Sequence, residues 1–582
     1  MILSNLSISK QIDYNIECSI IPVLLTHLNN ETLFKYVSKY IHIPELYMQL
    51  LHNIEVNMKE NNLGMASLTI EYDNNIKIQQ NNIIKKTIKK KTDSKKKSDS
   101  KTKSKHSNNT TNINVQNKIH QIFIIPINNK SYSKDSKDSK DSDDELLELS
   151  RVSGNAIFNR LKNNQISRIN IIDTLDSISG DTTYLEAIME GLLLSSYRFL
   201  KYKTKGSLTK SQDRFNIKKI HLVVPLYNRE VQKDTVINKI KHLLNQIKSV
   251  FLTRDLINEP ANDGKGTLFI NIVKQYIKEH KIPIKIQVIE KDEIEKIGMG
   301  LILGVGKAST KINAPQILLL KYNGKSKTNG KSKTNDKRKD DPEYFLLGKG
   351  ITFDTGGTNL KKASSMYDMK TDMSGAATVI SFLLGYAMNN GSKSIYAMCP
   401  LVENSIGSSG VKPSDVLTAY GGKTVEVANT DAEGRLILAD CLAYVSDKYP
   451  KATIIDFATL TGQQESISCK MFSNILSVNS ELDVIKLIKK GKHINEPLVE
   501  LPIMDKHLNK LESYVADIKN VSFNCSADII MSSLFMKQFI NKNTKWIHID
   551  IASTSYKVNE IIKYASPEAS GVGVRLLFAF FE

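Results

Sequence analysis

Cysteine is scarce in this sequence, and the few cysteines are scattered. Only five of the 582 residues are cysteine, and no two of them form a C-x-x-C pair. An odd number without such a pair argues against a disulfide framework and against a zinc site built on thiolates. The five are Cys18, Cys399, Cys441, Cys469 and Cys525.

Long apolar runs and several common functional motifs are also missing. No run approaches the ~20 residues of a membrane span, and Met1–Lys10 lacks a basic segment followed by an apolar core. We therefore expect a cytoplasmic protein with no membrane partner. Lys307 and Lys349 follow glycine, but neither has the other residues of a phosphate-binding loop. H-E-x-x-H and G-x-S-x-G motifs are absent as well.

Acidic residues are too few to balance the basic ones, and most of the excess positive charge lies in two short tracts. The net charge is +19. Lys85–Lys105 has eleven Lys and two Asp, and Lys325–Asp341 has seven Lys or Arg and three Asp, so these tracts hold thirteen of the nineteen charges. One hypothesis is a nucleic-acid-binding protein that uses these tracts. Because the tracts contain no interleaved aromatic residues, they favour solvated loops, and we do not expect a nucleic-acid partner.

Apolar strand-like runs alternate with amphipathic segments, which predicts an α/β fold with mostly parallel sheets flanked by helices. We expect an N-terminal α/β domain at 1–250, with disordered insertions near 84–115 and 128–147. A larger catalytic α/β domain is expected at 251–582, opening at the turn-rich Arg254–Asn262 and carrying a low-complexity insertion near 323–342. In this domain Tyr344–Asp354 is predicted to be one strand, followed by a helix at Met373–Met388.

Two carboxylates stand out in Asn429–Leu436, which has the sequence NTDAEGRL. Asp431 and Glu433 lie between a strand-like and a helix-like segment that both look buried. Asp and Glu are almost never fully buried unless they are paired or bound to a cation. A metal site is one explanation, and a buried ion network with Lys361 and Arg435 is the other.

A second polar cluster begins at Gly348–Gly357, which has the sequence GKGITFDTGG. Lys349 and Asp354 are five residues apart, so a regular strand would direct them to opposite faces. They can converge only if Gly348 and Gly350 allow a bend or bulge. Asp372 follows ahead of the predicted helix, where it is either a helix N-cap or part of the same site.

These two motifs together resemble the leucyl (cytosol) aminopeptidase family of two-metal exopeptidases. The resemblance is strong over roughly 250–582, weaker over 150–250 and slight before residue 150. It implies release of N-terminal residues, preferably leucine and other hydrophobic residues, from short peptides with a free N-terminus. A water or hydroxide bridging two divalent ions would attack the scissile carbonyl. The resemblance implies metal ligation by Lys349, Asp354, Asp372, Asp431 and Glu433.

The resemblance also assigns the other site residues and the cofactors. The expected metal is zinc, with manganese, magnesium or cobalt as alternatives, because the ligands are mostly oxygen. Lys361 would stabilise the oxyanion, and Arg435 would hold a bicarbonate that acts as general base. A homohexamer is also implied. The residues implied at the substrate pocket are Met369, Thr459, Leu460 and Gly462.

One departure from the family pattern lies between Cys525 and Leu534. The family has a glycine pair before a helix, whereas Ser526–Asp528 stands here. From the sequence we expect this difference to affect subunit packing and to leave the active site untouched.

Overall fold

The computed structural model describes residues 6–9, 18–24, 66–72, 118–127, 139–172, 182–204, 215–223, 230–262, 265–325 and 341–582. The insertion predicted near 84–115 lies outside the described residues. The same holds for 128–138 and 326–340, within the other two predicted insertions. The described remainder of the second one, 139–147, belongs to a helix that begins at Ser139.

The chain divides into two compact units. The first comprises 1–132, 159–185 and 205–233, and the second comprises 133–158, 186–204 and 234–582. The division predicted at residue 250 assigns 133–158, 186–204 and 234–250 differently from these units. As a statement about domains it stays a prediction.

The strands of the described residues are numbered in chain order. They are β1 (Leu6–Ser9), β2 (Cys18–Leu24), β3 (Ala66–Tyr72), β4 (Lys118–Ile127), β5 (Arg168–Ile172), β6 (Lys219–Val223), β7 (Lys285–Ile289), β8 (Gln316–Tyr322), β9 (Tyr344–Gly348), β10 (Gly350–Asp354), β11 (Ile395–Asn404), β12 (Val416–Thr418), β13 (Thr424–Glu426), β14 (Thr453–Ala458), β15 (Ser473–Val478), β16 (Leu498–Glu500), β17 (Ile518–Lys519) and β18 (Lys545–Asp550).

The α-helices are numbered in the same way. They are α1 (Ser139–Asn163), α2 (Thr183–Ser195), α3 (Glu230–Asn258), α4 (Lys265–His280), α5 (Lys291–Ile297), α6 (Gly300–Val305), α7 (Ala363–Met366), α8 (Ser374–Met388), α9 (Gly434–Lys448), α10 (Gln463–Ser468), α11 (Glu481–His493), α12 (Asp528–Lys537) and α13 (Val574–Phe581).

Both units contain a mostly parallel sheet. In the first unit the strand order is β1-β6-β5-β2-β4-β3, and only the β3–β4 pair is antiparallel. In the second unit the order is β16-β15-β18-β14-β9-β11-β8-β7, with β10 also paired to β11. The pairs among β14, β18, β9, β11 and β10 are parallel. The predicted α/β fold class is therefore confirmed.

The middle of the second sheet is covered by helices. Phe345, Leu346 and Leu347 of β9 are all fully buried, as expected of a parallel strand with both faces covered. Both α8 and α9 contact β9. Helix α8 is buried on every side, which follows from a sequence that is apolar all round. The central strands are consequently held in a buried layer that packs against helices.

Two local predictions differ from the structure. The single strand expected at Tyr344–Asp354 is interrupted at Lys349, which leaves β9 and β10 as separate strands. The turn expected from Arg254 is instead the end of α3, which continues to Asn258. Tertiary contacts stabilise that last turn, because the buried Arg254 donates hydrogen bonds to the carbonyls of Leu194 and Ser570.

None of the helices that the structure describes is both long and apolar enough to cross a bilayer.

Candidate metal centre

Lys349 lies where β9 gives way to β10, at the end of the central strands. The bend requires glycine on both sides. A Cβ on Gly348 would lie 2.6 Å from the Ala376 backbone, and one on Gly350 would lie 2.3 Å from the Pro400 carbonyl. The pairing of β10 with β11 is also irregular, shifting between Ile351 and Phe353. This distortion allows side chains that a regular strand would separate to reach the same site.

The predicted residues form one contiguous cluster of charges. Lys349 Nζ lies 2.8 Å from Asp372 Oδ1 and 3.0 Å from Glu433 Oε1. Lys361 Nζ lies 2.9 Å from an oxygen of Asp354 and 2.6 Å from one of Asp431. Carboxylate oxygens of Asp354, Asp431 and Glu433 all lie within 4.8 Å of one another. We call the six residues Lys349, Asp354, Lys361, Asp372, Asp431 and Glu433 the acidic cluster.

The loop that carries Asp431 and Glu433 is held by hydrogen bonds from distant residues. Thr430 Oγ1 donates to the Gly356 carbonyl at 2.6 Å and accepts from the Asn359 backbone at 2.9 Å. On the other side, Asn520 accepts from the Ala428 backbone N–H at 2.8 Å and donates to the Asn429 carbonyl at 2.7 Å. The two motifs are therefore tied to each other, and the second is also tied to the segment that follows β17.

Burial is the main influence on the ionisation of the cluster. Burial raises the pKa of Asp354 to about 7, and the nearby Glu433 carboxylate adds to this rise. Burial also raises the pKa of Asp372 and of Asp431. Burial disfavours charge on Glu433 as well, but Lys349 and Lys361 lower its pKa below the usual value. Three of the four carboxylates are thus harder to ionise than usual, despite the two lysines beside them.

The donor set fits divalent cations. Four carboxylates and two lysines leave a formal deficit of positive charge in a mostly buried place, where unpaired charge is costly. Asp372 Oδ2 is buried and has no hydrogen-bond partner among the described residues. Oxygen ligands without histidine or cysteine are compatible with zinc, manganese, magnesium or cobalt.

The geometry distinguishes between the alternatives that the sequence left open for Asp372, Lys361 and Arg435. Asp372 does not cap α8 with its side chain, because the helix begins after Met373 without a side-chain cap. Instead its Oδ1 accepts a hydrogen bond from Thr459 Oγ1 at 2.7 Å. Of the two partners in the proposed ion network, Lys361 forms an ion pair with Asp431. Arg435 instead pairs with Asp528.

Arg435 is buried, and its guanidinium contacts a different part of the chain. Nη1 donates to the Asn520 carbonyl at 3.0 Å, and Nη2 donates to Asp528 Oδ1 at 2.7 Å. Asp528 belongs to the segment in which the sequence departs from the family pattern. The prediction that this departure leaves the predicted site residues untouched is therefore wrong, since Asp528 contacts Arg435 directly.

The predicted substrate residues lie on two segments beside the cluster. Thr459 follows the end of β14 and contacts Asp372. Leu460 is partly buried against the core, and its backbone N–H donates to Asp550. Gly462 is exposed, and Met369 lies half-buried three residues before Asp372. Their role in substrate binding stays a prediction.

Sequence patterns did not single out three residues that support the site. Asn404 donates to Asp354 Oδ1 at 2.8 Å across 50 residues of chain. Asn520 holds the loop before Asp431, and Asp528 neutralises Arg435. The only available signal was the position of Asn404 at the carboxyl end of β11 and of Asp528 within the departing segment.

An oxygen-rich charged cluster at the carboxyl ends of a mostly parallel sheet is typical of metal-dependent hydrolases. The profile of the cytosol aminopeptidase family, catalytic domain, matches residues 251–578. The chain belongs to the cytosol aminopeptidase family and is a peptidase by that membership. The predicted family is thus confirmed.

Individual relatives agree with this assignment. The cytosol aminopeptidase of Rickettsia prowazekii (strain Madrid E) is 34% identical over 401 residues, which are 69% of this chain and 75% of the relative. A protein of Wolbachia pipientis wMel named "Probable cytosol aminopeptidase" is 34% identical over 417 residues, covering 71% of this chain and 77% of the relative. These comparisons lend no support to the nucleic-acid-binding hypothesis.

A solved structure shares the fold. The bottromycin maturation enzyme BotP, solved in complex with Mn, superposes on this chain with a TM-score of 0.67 at 18% sequence identity. The superposition covers 97% of this chain and 98% of the BotP chain. At this identity the likeness concerns the fold alone.

Proposed function

We propose that the chain is a leucyl aminopeptidase that uses two divalent ions to release N-terminal leucine and other hydrophobic residues from short peptides. The observation that carries the proposal is the acidic cluster, in which three carboxylates come within 4.8 Å of one another beside two lysines. Family membership supports the reaction class. We further propose a cytosolic homohexamer, by analogy with the family.

The residues that would hold the ions are Lys349, Asp354, Asp372, Asp431 and Glu433. Bound ions would act as Lewis acids. They would also lower the pKa of a bound water, so that a hydroxide nucleophile would be available at neutral pH. Zinc is the proposed metal, with manganese, magnesium and cobalt as alternatives. Lys349 can ligate only as a neutral amine, although its carboxylate neighbours outweigh burial and raise its pKa. Loading the site should therefore release a proton.

The remaining residues bind and orient the peptide. Lys361 is mostly buried, with a side chain 16% exposed, and its carboxylate neighbours keep its pKa above the usual value despite burial. It therefore stays protonated at neutral pH and can donate to a developing oxyanion. Thr459, Leu460, Gly462 and Met369 would line the pocket for an apolar N-terminal side chain.

Replacing single ligands tests this function. Asp431→Ala and Glu433→Ala should each abolish metal-dependent hydrolysis of a chromogenic leucine amide while the protein remains folded. The protein is stripped with a chelator, and zinc, manganese, magnesium or cobalt is restored singly before activity and bound metal are measured. Asp505→Ala is the matched control, because Asp505 is an exposed acid paired with Lys537. Full activity in either ligand variant would refute the site.

A further inference from the structure

Arg435 is a buried cation whose counter-charge comes from within the chain. Its side chain is 3% exposed and lies two residues after Glu433 in the NTDAEGRL motif. Asp528 provides the carboxylate, and the Nη2–Oδ1 distance of 2.7 Å is that of a charge-assisted hydrogen bond. The backbone carbonyl of Asn520 accepts a hydrogen bond from Nη1. The guanidinium therefore already has an anion and a neutral acceptor.

Asp528 is also held beside the proposed substrate segment. Its backbone N–H donates to Gln463 Oε1 at 2.8 Å, and Gln463 Nε2 donates back to the Ser526 carbonyl. Gln463 directly follows Gly462, one of the proposed pocket residues. Although it starts α12, the Asp528 side chain remains 42% exposed. It is an accessible carboxylate fixed by its backbone next to the site.

Bicarbonate, which the family resemblance assigns to Arg435, does not fit this arrangement. An external anion would have to displace a carboxylate tethered at high effective concentration, or bind beside it against like-charge repulsion. Arg435 Nε has no hydrogen-bond partner among the described residues, but one N–H does not offset a second negative charge. The geometry points to Asp528 as the chain's own anion on Arg435, replacing an external bicarbonate.

The consequence for hydrolysis rests on the proposed function, whereas the consequence for binding does not. With Asp528 in place, Arg435 needs no dissolved anion, so the activity is independent of bicarbonate. Without the Asp528 charge, Arg435 becomes a buried cation with an open partner position. Such a variant should acquire a bicarbonate site, because a buried guanidinium without a counter-ion is unfavourable.

Asp528→Asn tests this proposal, since it keeps the shape of the side chain and removes its charge. Asp528→Glu preserves the charge, and Asp505→Asn removes an exposed acid elsewhere. Equilibrium dialysis with radiolabelled bicarbonate is performed on metal-stripped protein. Hydrolysis of leucine amide by metal-loaded protein is then measured in carbonate-free buffer with and without added bicarbonate.

Asp528→Asn should bind bicarbonate at least about tenfold more tightly than the wild type, as expected for hydrogen bonds to a charged group. Its kcat in carbonate-free buffer should fall about tenfold relative to the wild type and recover with bicarbonate, while the kcat of the wild type and of Asp505→Asn changes less than about twofold on adding bicarbonate. Recovery by bicarbonate is a response that mere loss of packing would not produce.

Two results would overturn the proposal. One is a wild type that binds bicarbonate as tightly as Asp528→Asn, and the other is an Asp528→Asn enzyme whose activity in carbonate-free buffer is unchanged. If no protein hydrolyses leucine amide with any metal, the proposed function fails. The dialysis measurement would still decide whether Asp528 occupies the anion position.

Discussion

Gly434 is the point at which one methyl group should disrupt the acidic cluster. A Cβ at this position would lie 2.5 Å from Lys349 Cε and 2.7 Å from its Nζ. The lysine cannot easily withdraw, because its Nζ is held by Asp372 at 2.8 Å, Glu433 at 3.0 Å and the Thr459 carbonyl at 2.7 Å. Ordinary contact begins at 3.4 Å, so Gly434→Ala should move the end of Lys349 by roughly 0.9 Å, enough to break hydrogen-bond contact.

The expected effect is much larger on catalysis than on folding. Overpacking of this kind costs about 1–3 kcal/mol of unfolding free energy. A displacement near 1 Å at a reacting site can cost about a hundredfold in rate, and we expect kcat/KM for leucine amide to fall by that order. Urea denaturation gives the first quantity, and steady-state kinetics with restored metal give the second.

Gly266→Ala is the matched control, because a Cβ there would meet its nearest neighbours at 3.6 Å or more. This variant should keep the kinetics and stability of the wild type. If Gly434→Ala retains kcat/KM within about threefold of the wild type, Lys349 is either not pinned as described or not needed.

Two further predictions concern stability. Arg575 is buried and lies 2.7 Å from Glu190 and 3.4 Å from Glu496. Arg575→Met should lower the unfolding free energy by about 3–5 kcal/mol, because it leaves the buried Glu496 without a cationic partner and Glu190 with Arg151 alone; a loss below about 1 kcal/mol in urea denaturation would contradict this. Burial lowers the pKa of Lys265 to about 7, against ~10.4 in the unfolded chain. Between pH 7 and about 10, Lys265 is therefore protonated in the unfolded chain but largely neutral in the folded protein. Because the unfolded state binds more protons, the unfolding free energy of the wild type should rise with pH over this range, relative to Lys265→Met, by up to about 1.4 kcal/mol per pH unit. Denaturation series of both proteins across that range check the slope, and parallel curves would exclude the shift.

Several parts of the fold could be predicted because their signals are local. The buried strands and the apolar helix α8 have a periodicity and composition that are visible within a dozen residues. The break at Lys349 follows from two flanking glycines, although the sequence alone suggested one continuous strand. The end of α3 could not be predicted in this way, because the helix is extended by hydrogen bonds from Arg254 to the distant carbonyls of Leu194 and Ser570.

The sequence by itself determined the family and the identity of the acidic residues, because NTDAEGRL and GKGITFDTGG are contiguous patterns in which chemistry and backbone requirements coincide. Only the tertiary structure decided which partner each charge has. Arg435 and Asp528 are 93 residues apart, and Asn404 and Asp354 are 50 apart. Pairings over such distances depend on how strands and helix ends meet in space, and no periodicity along the chain encodes them.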